Sequence, residues 1–499
     1  MKRLGGLLLL LLTGCADTLL GISPLEEGAD RLTYPFGLAA VEGPTPAQDT
    51  LLVVSTNLDQ RFNAGLLAAF DFEALAAQVE AATCEAPIVR SRIEGLRGAL
   101  RVPSGSGRLV PFRDGARLRL ALPTRFGQSL SLFDLDPGGR LPTPGTPPEP
   151  GDLVSCRAQG ASTETALDCA ASHRIGLDDD DPFDVAPVYD EAGELELLAV
   201  THLGGNGGPI SVVGADRIRA RLDPQEATDP EAAAGRPIVA NVSGLTGSFA
   251  ATGLGPGQLL VTTNGDPTVR PLRIARLESS TLLGLRRSSF ADVGQPLGQE
   301  GRDPSVVIPS AFADLEPETS GERVRGLATR ADRPELAWVA LRIIDDQGAQ
   351  TENSVIATVD LTESPFRVLS VFEVGEQIGR PVFDPVSGLL YVPDERRGLF
   401  VLDVSGVAPL LVAQVDGRAQ VAIGGGFTRG FRLLSSPTEV AFDPRPRQGR
   451  RLLYASNFLN STLGVIDVTE PSRPCVVARL GEPLDPGNES RELLFGVEP

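Results

Sequence analysis

The 499-residue sequence predicts an all-β chain, a seven-bladed β-propeller of four-stranded antiparallel blades with inserted loops. Three observations predict it. A hairpin of two apolar strands recurs seven times, its second strand closes on Asp in five of those copies, and Gly, Pro and Asp turns punctuate the strands throughout. A single four-stranded blade cannot bury both of its faces, so blades must stack, and a closed ring leaves only short outer edges. The composition agrees with a globular chain: 41% of residues are apolar, and the formal charge is −20. That excess of acid repels phosphate backbones, so no nucleic-acid partner is expected. The only long apolar run is at the extreme N-terminus, which excludes a multi-span membrane protein.

In chain order, the first element is an export signal. Lys2 and Arg3 precede an unbroken leucine run, Leu7 to Leu12, too short to span a bilayer. The run ends in Leu12-Thr13-Gly14-Cys15, which resembles the lipobox of bacterial lipoproteins. The resemblance implies cleavage after residue 14, lipid on Cys15 and attachment to the membrane through acyl chains such as palmitate. Ala16, where an Asp would imply inner-membrane retention, implies a lipid-anchored place in the cell envelope, at the outer membrane rather than the inner one. Loss of residues 1–14 would remove Lys2, the only lysine, and take the formal charge to −22. Residues 15–30 read as the lipidated cysteine and a tether, 31–485 as the propeller and 486–499 as a C-terminal tail.

The seven hairpins lie at 51–71, 117–134, 195–214, 257–276, 335–360, 389–403 and 452–467. Asp71, Asp134, Asp360, Asp403 and Asp467 close five of them; Gly214 and Arg276 stand in the third and fourth. A strand precedes most hairpins, as in 34–42, 184–190, 247–254, 380–384 and 438–443, and an apolar run follows several, as in 366–372, 410–415 and 475–480. Successive closing positions are 63, 80, 62, 84, 43 and 64 residues apart. An undecorated blade needs about 40 to 45, so most blades carry insertions. The last hairpin, LLYASNFLNSTLGVIDV, resembles the YVTN-type β-propeller repeat through Tyr454, Asn457, Val465, Ile466 and Asp467. Asn57 with Asp71, and Tyr391 with Asp403, match it in part. The resemblance implies the fold and leaves the function open.

In a propeller the turns between second and third strands share one end of the central channel with the blade-to-blade crossovers. That end is the expected interaction face. Its candidate residues are Asn57, Arg61, Arg125, His202, Asn206, Asn264, Arg342, Asp394, Arg396 and Asn457, a polar ring suited to a protein or a small polar ligand. His202 could act as a general base, but no G-x-S-x-G or H-E-x-x-H pattern accompanies it. Trp338 is the only tryptophan, which argues against a quinone-docking repeat, and the missing lysine removes a P-loop. Asp178, Asp179, Asp180 and Asp181 could offer oxygen ligands to calcium, though without EF-hand spacing, and no other cofactor is expected. Of the cysteines beyond the anchor, Cys156 and Cys169 are the expected disulfide, while spacing leaves Cys84 and Cys475 paired or free. The expectation is a monomeric binding or scaffolding module, with enzymatic activity left open. A lactonase-like hydrolase with a metal on channel carboxylates is one alternative, and a structural lipoprotein without a small ligand is the other.

Overall fold

The computed structural model describes residues 32–56, 65–125, 128–135, 154–155, 174–177, 181–203, 210–222, 238–240, 248–263, 273–284, 305–307, 322–344, 350–362, 366–424 and 427–483. Seven antiparallel sheets form a ring, one per hairpin read from the sequence. Blade 1 is built from Pro35–Val41, Thr50–Ser55, Gly65–Asp71 and Leu96–Val102. Blade 2 follows with Val110–Asp114, Arg117–Thr124 and Ser129–Leu135, and its outer strand comes in two pieces, Val154–Ser155 and Arg174–Gly176. Blades 3 and 4 start at Pro182–Tyr189 and Ser248–Gly255 and end in the outer strands Ile238–Ala240 and Ser305–Val307. Blade 5 runs from Glu322–Arg330 to Arg367–Glu373, blade 6 from Val382–Asp384 to Leu410–Val415, and blade 7 from Pro437–Phe442 to Cys475–Leu480.

The middle stretches of the hairpin strands are mostly apolar on both sides because a blade is covered on both faces. Leu51 and Val53 face the last blade, packing with Tyr454, Leu463 and Val465, while Leu52 and Val54 face blade 2, packing with Leu120 and Leu122. The same alternation gives each blade-to-blade contact its own apolar cluster. The letters of the repeat serve this packing. Tyr454 sits edge-on to Phe72 with ring centroids 5.4 Å apart, and Tyr391 edge-on to Phe442 at 5.0 Å. Four of the closing aspartates cap the chain as it leaves the third strand. Asp467 accepts from the Thr469 backbone N–H at 2.9 Å, Asp360 from that of Thr362 at 2.9 Å, and Asp403 from that of Ser405 at 2.8 Å. Asp71 caps the short helix Phe72–Gln78.

Three features go beyond the sequence reading. A two-stranded hairpin, Arg418–Gly424 with Phe427–Arg432, stands between blades 6 and 7. The strand Ile88–Arg90, inserted in blade 1, pairs in parallel with the outer strand of blade 7. Beside it Cys84 is disulfide-bonded to Cys475 across 391 residues of chain, with Cα atoms 5.5 Å apart. Spacing had left those two cysteines open; Cys156 and Cys169 lie outside the described residues. Arg447 adds to this seam, its Nε 3.1 Å from Asp443 and its Nη2 2.5 Å from Asp49 of blade 1.

Candidate functional site

The inner strand of each blade begins at the crossover end of the channel, and just inside that end the axis is filled by charge. Arg108 reaches it from the crossover between blades 1 and 2. The preceding Gly107 lies so close to the Phe183 carbonyl that any side chain there would collide with it. The Arg108 guanidinium is 2.7 Å from Asp184 of blade 3 and 2.9 Å from Glu439 of blade 7, and it donates to the Arg325 carbonyl of blade 5 at 2.6 Å. Backbone amides complete the layer: Leu38 of blade 1 donates to Glu439 at 3.2 Å and Ala251 of blade 4 to Asp184 at 3.3 Å. All three charged side chains are buried. Burial pushes the Glu439 carboxyl above its ordinary range, against the pull of Arg108 and Arg380. One guanidinium thereby ties together strands of blades 3, 5 and 7 and closes the channel at this level.

Above the hub lies a cluster of aromatic rings. Phe183 covers Arg108, with the guanidinium carbon 5.4 Å from the ring centroid. Phe36 stands 5.6 Å from Phe183 and 6.2 Å from Phe458, and Tyr34 stands 5.4 Å from Phe458. Phe183 is buried, whereas Tyr34, Phe36 and Phe458 are half-buried and present ring surface at the mouth. The mouth is therefore a shallow aromatic dish on a sealed, ionic floor.

The described candidates from the sequence are engaged within the protein. Arg342 donates through Nε to the Ile378 carbonyl at 2.7 Å and pairs with Glu395 at 2.5 Å. Asp394 accepts four backbone amides, from Glu376, Gln377, Arg396 and Arg397, at 2.6–2.8 Å. Arg396 pairs with Glu376 at 3.2 Å. Asn457 accepts from the Ser435 amide at 3.0 Å and donates to the Leu433 carbonyl at 2.8 Å, fastening the incoming crossover. His202 is fully buried, its Nε2 2.8 Å from the Ser211 hydroxyl. Arg125 and Asp181, read as a ligand-face residue and a metal ligand, meet each other at 3.1 Å. Asn57, Arg61, Asn206, Asn264, Asp178, Asp179, Asp180 and Cys15 lie outside the described residues. Among the described residues no group of three His, Cys, Asp or Glu is placed to hold a metal.

The aromatic dish was missed because turn residues drew attention and strand starts did not. Its signal is present in Tyr34-Pro35-Phe36 and Pro182-Phe183, where aromatic residues flank a proline at the first position of an inner strand. An open cavity of about 580 Å³ occupies the opposite end, lined by Val41, Phe112, Arg113, Leu118 and Tyr189 where the first three inner strands finish. Tyr189 accepts from the Arg113 amide at 3.0 Å.

Ring and sealed axis define the chain as a seven-bladed β-propeller. Similarity to solved structures is distant. The Malassezia sympodialis allergen Mala s 1 is 13% identical over 60% of this chain and 77% of that one, with a TM-score of 0.35. The β-propeller domain of Myceliophteria thermophila Cps50 (Swd1) is 11% identical over 75% and 89%, with a TM-score of 0.37. A chain of the mitotic checkpoint complex is 11% identical over 85% and 89%, with a TM-score of 0.40. No protein-family model matches the sequence, and no curated protein does.

Proposed function

We propose that the chain is a lipid-anchored, extracytoplasmic β-propeller that holds a protein partner at the crossover end of its channel. The observation that carries the reading is the aromatic dish. Tyr34, Phe36 and Phe458 offer ring surface around a floor closed by Arg108. Half-buried aromatic surface around this floor suits a side chain or loop of a partner, because aromatic anchors bury much area at little entropic cost. The hub also bears on the hydrolase alternative. The hub carboxylates Asp184 and Glu439 are both paired with the Arg108 guanidinium, and Arg380 adds a second positive charge near Glu439.

The anchor rests on Leu12-Thr13-Gly14-Cys15, and the Cys84–Cys475 bond supports a compartment that permits disulfides. Two measurements test the two parts separately. Labelling with an alkyne palmitate analogue should mark the native chain and leave a Cys15→Ala variant unmarked; equal label in both would sink the anchor. A photo-crosslinking amino acid at position 458 should give one adduct of fixed mass in intact cells, absent when it is placed at the remote, exposed Val386. Adducts at neither position, or the same set at both, would overturn the docking face.

A further inference from the structure

The outermost strand of every blade is an open row of backbone N–H and C=O groups, able to pair with any strand that approaches it. Six blades blunt this edge. Those of blades 3 and 4 are three residues long, and that of blade 2 is split into pieces of two and three. The edge of blade 1 carries Arg97 and Arg101 in its sequence, and that of blade 5 begins with Arg367 and ends with Glu373. Blade 7 has its edge covered by the parallel strand Ile88–Arg90, with Ala478 opposite Ile88 and Leu480 opposite Arg90.

Blade 6 uses none of these devices. Its outer strand, Leu410–Val415, reads LLVAQV: six residues, no charge, no proline, and no strand on its outer side among the described residues. Leu410, Leu411 and Val412 are 62%, 52% and 36% exposed. Val407 and, from blade 5, Val371 extend the patch, joined by the Ser370 hydroxyl donating to the Val407 carbonyl at 2.9 Å. These five make up most of the eight exposed large apolar side chains among the described residues, so the apolar surface is concentrated at one rim.

We propose that this edge is where two copies of the chain associate, blade 6 against blade 6, in antiparallel pairing that joins two four-stranded blades into one eight-stranded sheet. An edge strand is completed by a strand, and the molecule already covers the neighbouring blade that way in cis. A twofold contact sets a strand against its own twin. LLVAQV meets itself without a single charge, whereas the rim of blade 1 would set Arg97 against Arg101 of its twin. The opposing force is the net charge of −20 on each copy. That repulsion acts at long range and is screened beyond about 10 Å at 0.1 M salt, while strand pairing and apolar contact act at short range. Added salt should therefore strengthen the pair, the reverse of a contact made by ion pairs. The proposed pair of propellers stands against the monomer expected from the sequence.

The test uses the full-length chain in its membrane. Leu411→Cys and Val386→Cys place an accessible thiol on the proposed edge and on an exposed turn of the same blade, Val386 being 77% exposed. Under mild oxidation the 411 variant should form a disulfide dimer several-fold more readily than the 386 variant, and more so as salt rises from about 0.05 to about 0.5 M. Sedimentation of the detergent-solubilised protein should show a dimer that Leu411→Lys abolishes. Gln414→Lys, at an exposed polar position of the same strand, should do the same with an unchanged unfolding midpoint if Leu411→Lys folds poorly. Equal crosslinking at both thiols, a monomer at every salt concentration, or a dimer untouched by both lysines would overturn the proposal. Attachment of position 411 to a different protein would overturn it too, by assigning the edge to another partner.

Discussion

At the scale of single residues, the side chain that organises the axis is Arg108. Removing one partner of a buried ion pair leaves the others charged and desolvated, at a cost of about 3–5 kcal/mol. Arg108→Ala strands both Asp184 and Glu439, so denaturant unfolding should show a loss of that size, well beyond the effect of removing an exposed arginine such as Arg113. Glu439 adds a pH signature. Its carboxyl is raised in the folded protein by burial, so it contributes stability that is full below the ordinary glutamate range and declines as pH rises through the raised value. Glu439→Gln should flatten that decline, and unfolding midpoints measured from the ordinary glutamate range upward will show whether it does. Little of this was legible beforehand. The sequence displays Arg108 as one basic residue among 45, and only the ring brings it to the axis beside acids 76 and 331 positions away. The turn residues Asn457 and Asp394 were conspicuous for the opposite reason. Asn and Asp fasten backbone wherever turns recur, and here they fasten the crossovers.

At the scale of the element, the sequence was most informative where both faces of a strand are buried. LLVV, LLYV and LLYA strings satisfy a two-sided environment as the middle strands of their blades, and all seven hairpins stand where they were read. Outer strands were harder to read, because one side meets solvent and the apolar run breaks into pieces such as Arg174–Gly176. The third and fourth hairpins, which lack the closing Asp, lead into helices, as the first does after Asp71. Gly214 runs directly into the helix Ala215–Leu222, and the fourth hairpin's third strand continues past Arg276 to the helix Ser279–Gly284. Asp71 caps a helix, whereas Asp360, Asp403 and Asp467 hold turns, Asp467 from both sides: Oδ1 takes the Thr469 amide, and Oδ2 takes Nε of Arg450 at 2.8 Å. Burial pushes this carboxyl up, but the Thr469 and Arg450 bonds bring it below its ordinary value. Such a group stabilises above the unfolded-state value, and the contribution is lost as pH falls through the lower folded one. Asp467→Ala should cost about 1–2 kcal/mol at neutral pH and progressively less on acidification below about pH 4, as read from paired denaturation curves.

For the whole molecule, the decisive structure is the seam where blade 7 meets blade 1. Every other face-to-face packing of blades joins blades adjacent in sequence, but this one joins the two ends of the ring and bears the full loop-closure entropy. The chain concentrates its strongest devices there. The Cys84–Cys475 bond crosses the seam, the strand Ile88–Arg90 crosses it by pairing, and Arg447 bridges Asp443 to Asp49. Arg450 donates to the Val79 carbonyl at 3.0 Å, and Tyr454 packs on Phe72. A crosslink that closes so long a loop restricts the unfolded chain strongly, and its removal costs roughly 2–5 kcal/mol. Reduction, or Cys84→Ser, should therefore lower stability by that amount without altering the blades, whose apolar clusters are untouched. The loss should also have a place. The seam will open before the other six contacts, so hydrogen exchange of the reduced protein should quicken first in Cys475–Leu480, Ile88–Arg90 and Pro35–Val41, while blades 3 to 5 keep their protection. If exchange instead quickened evenly around the ring, closure would be shared among all seven contacts and the disulfide would be a local staple. If it quickened at the seam, the bond would act as the latch of the ring, and its redox state would decide how long the aromatic dish between blades 1, 3 and 7 keeps its shape.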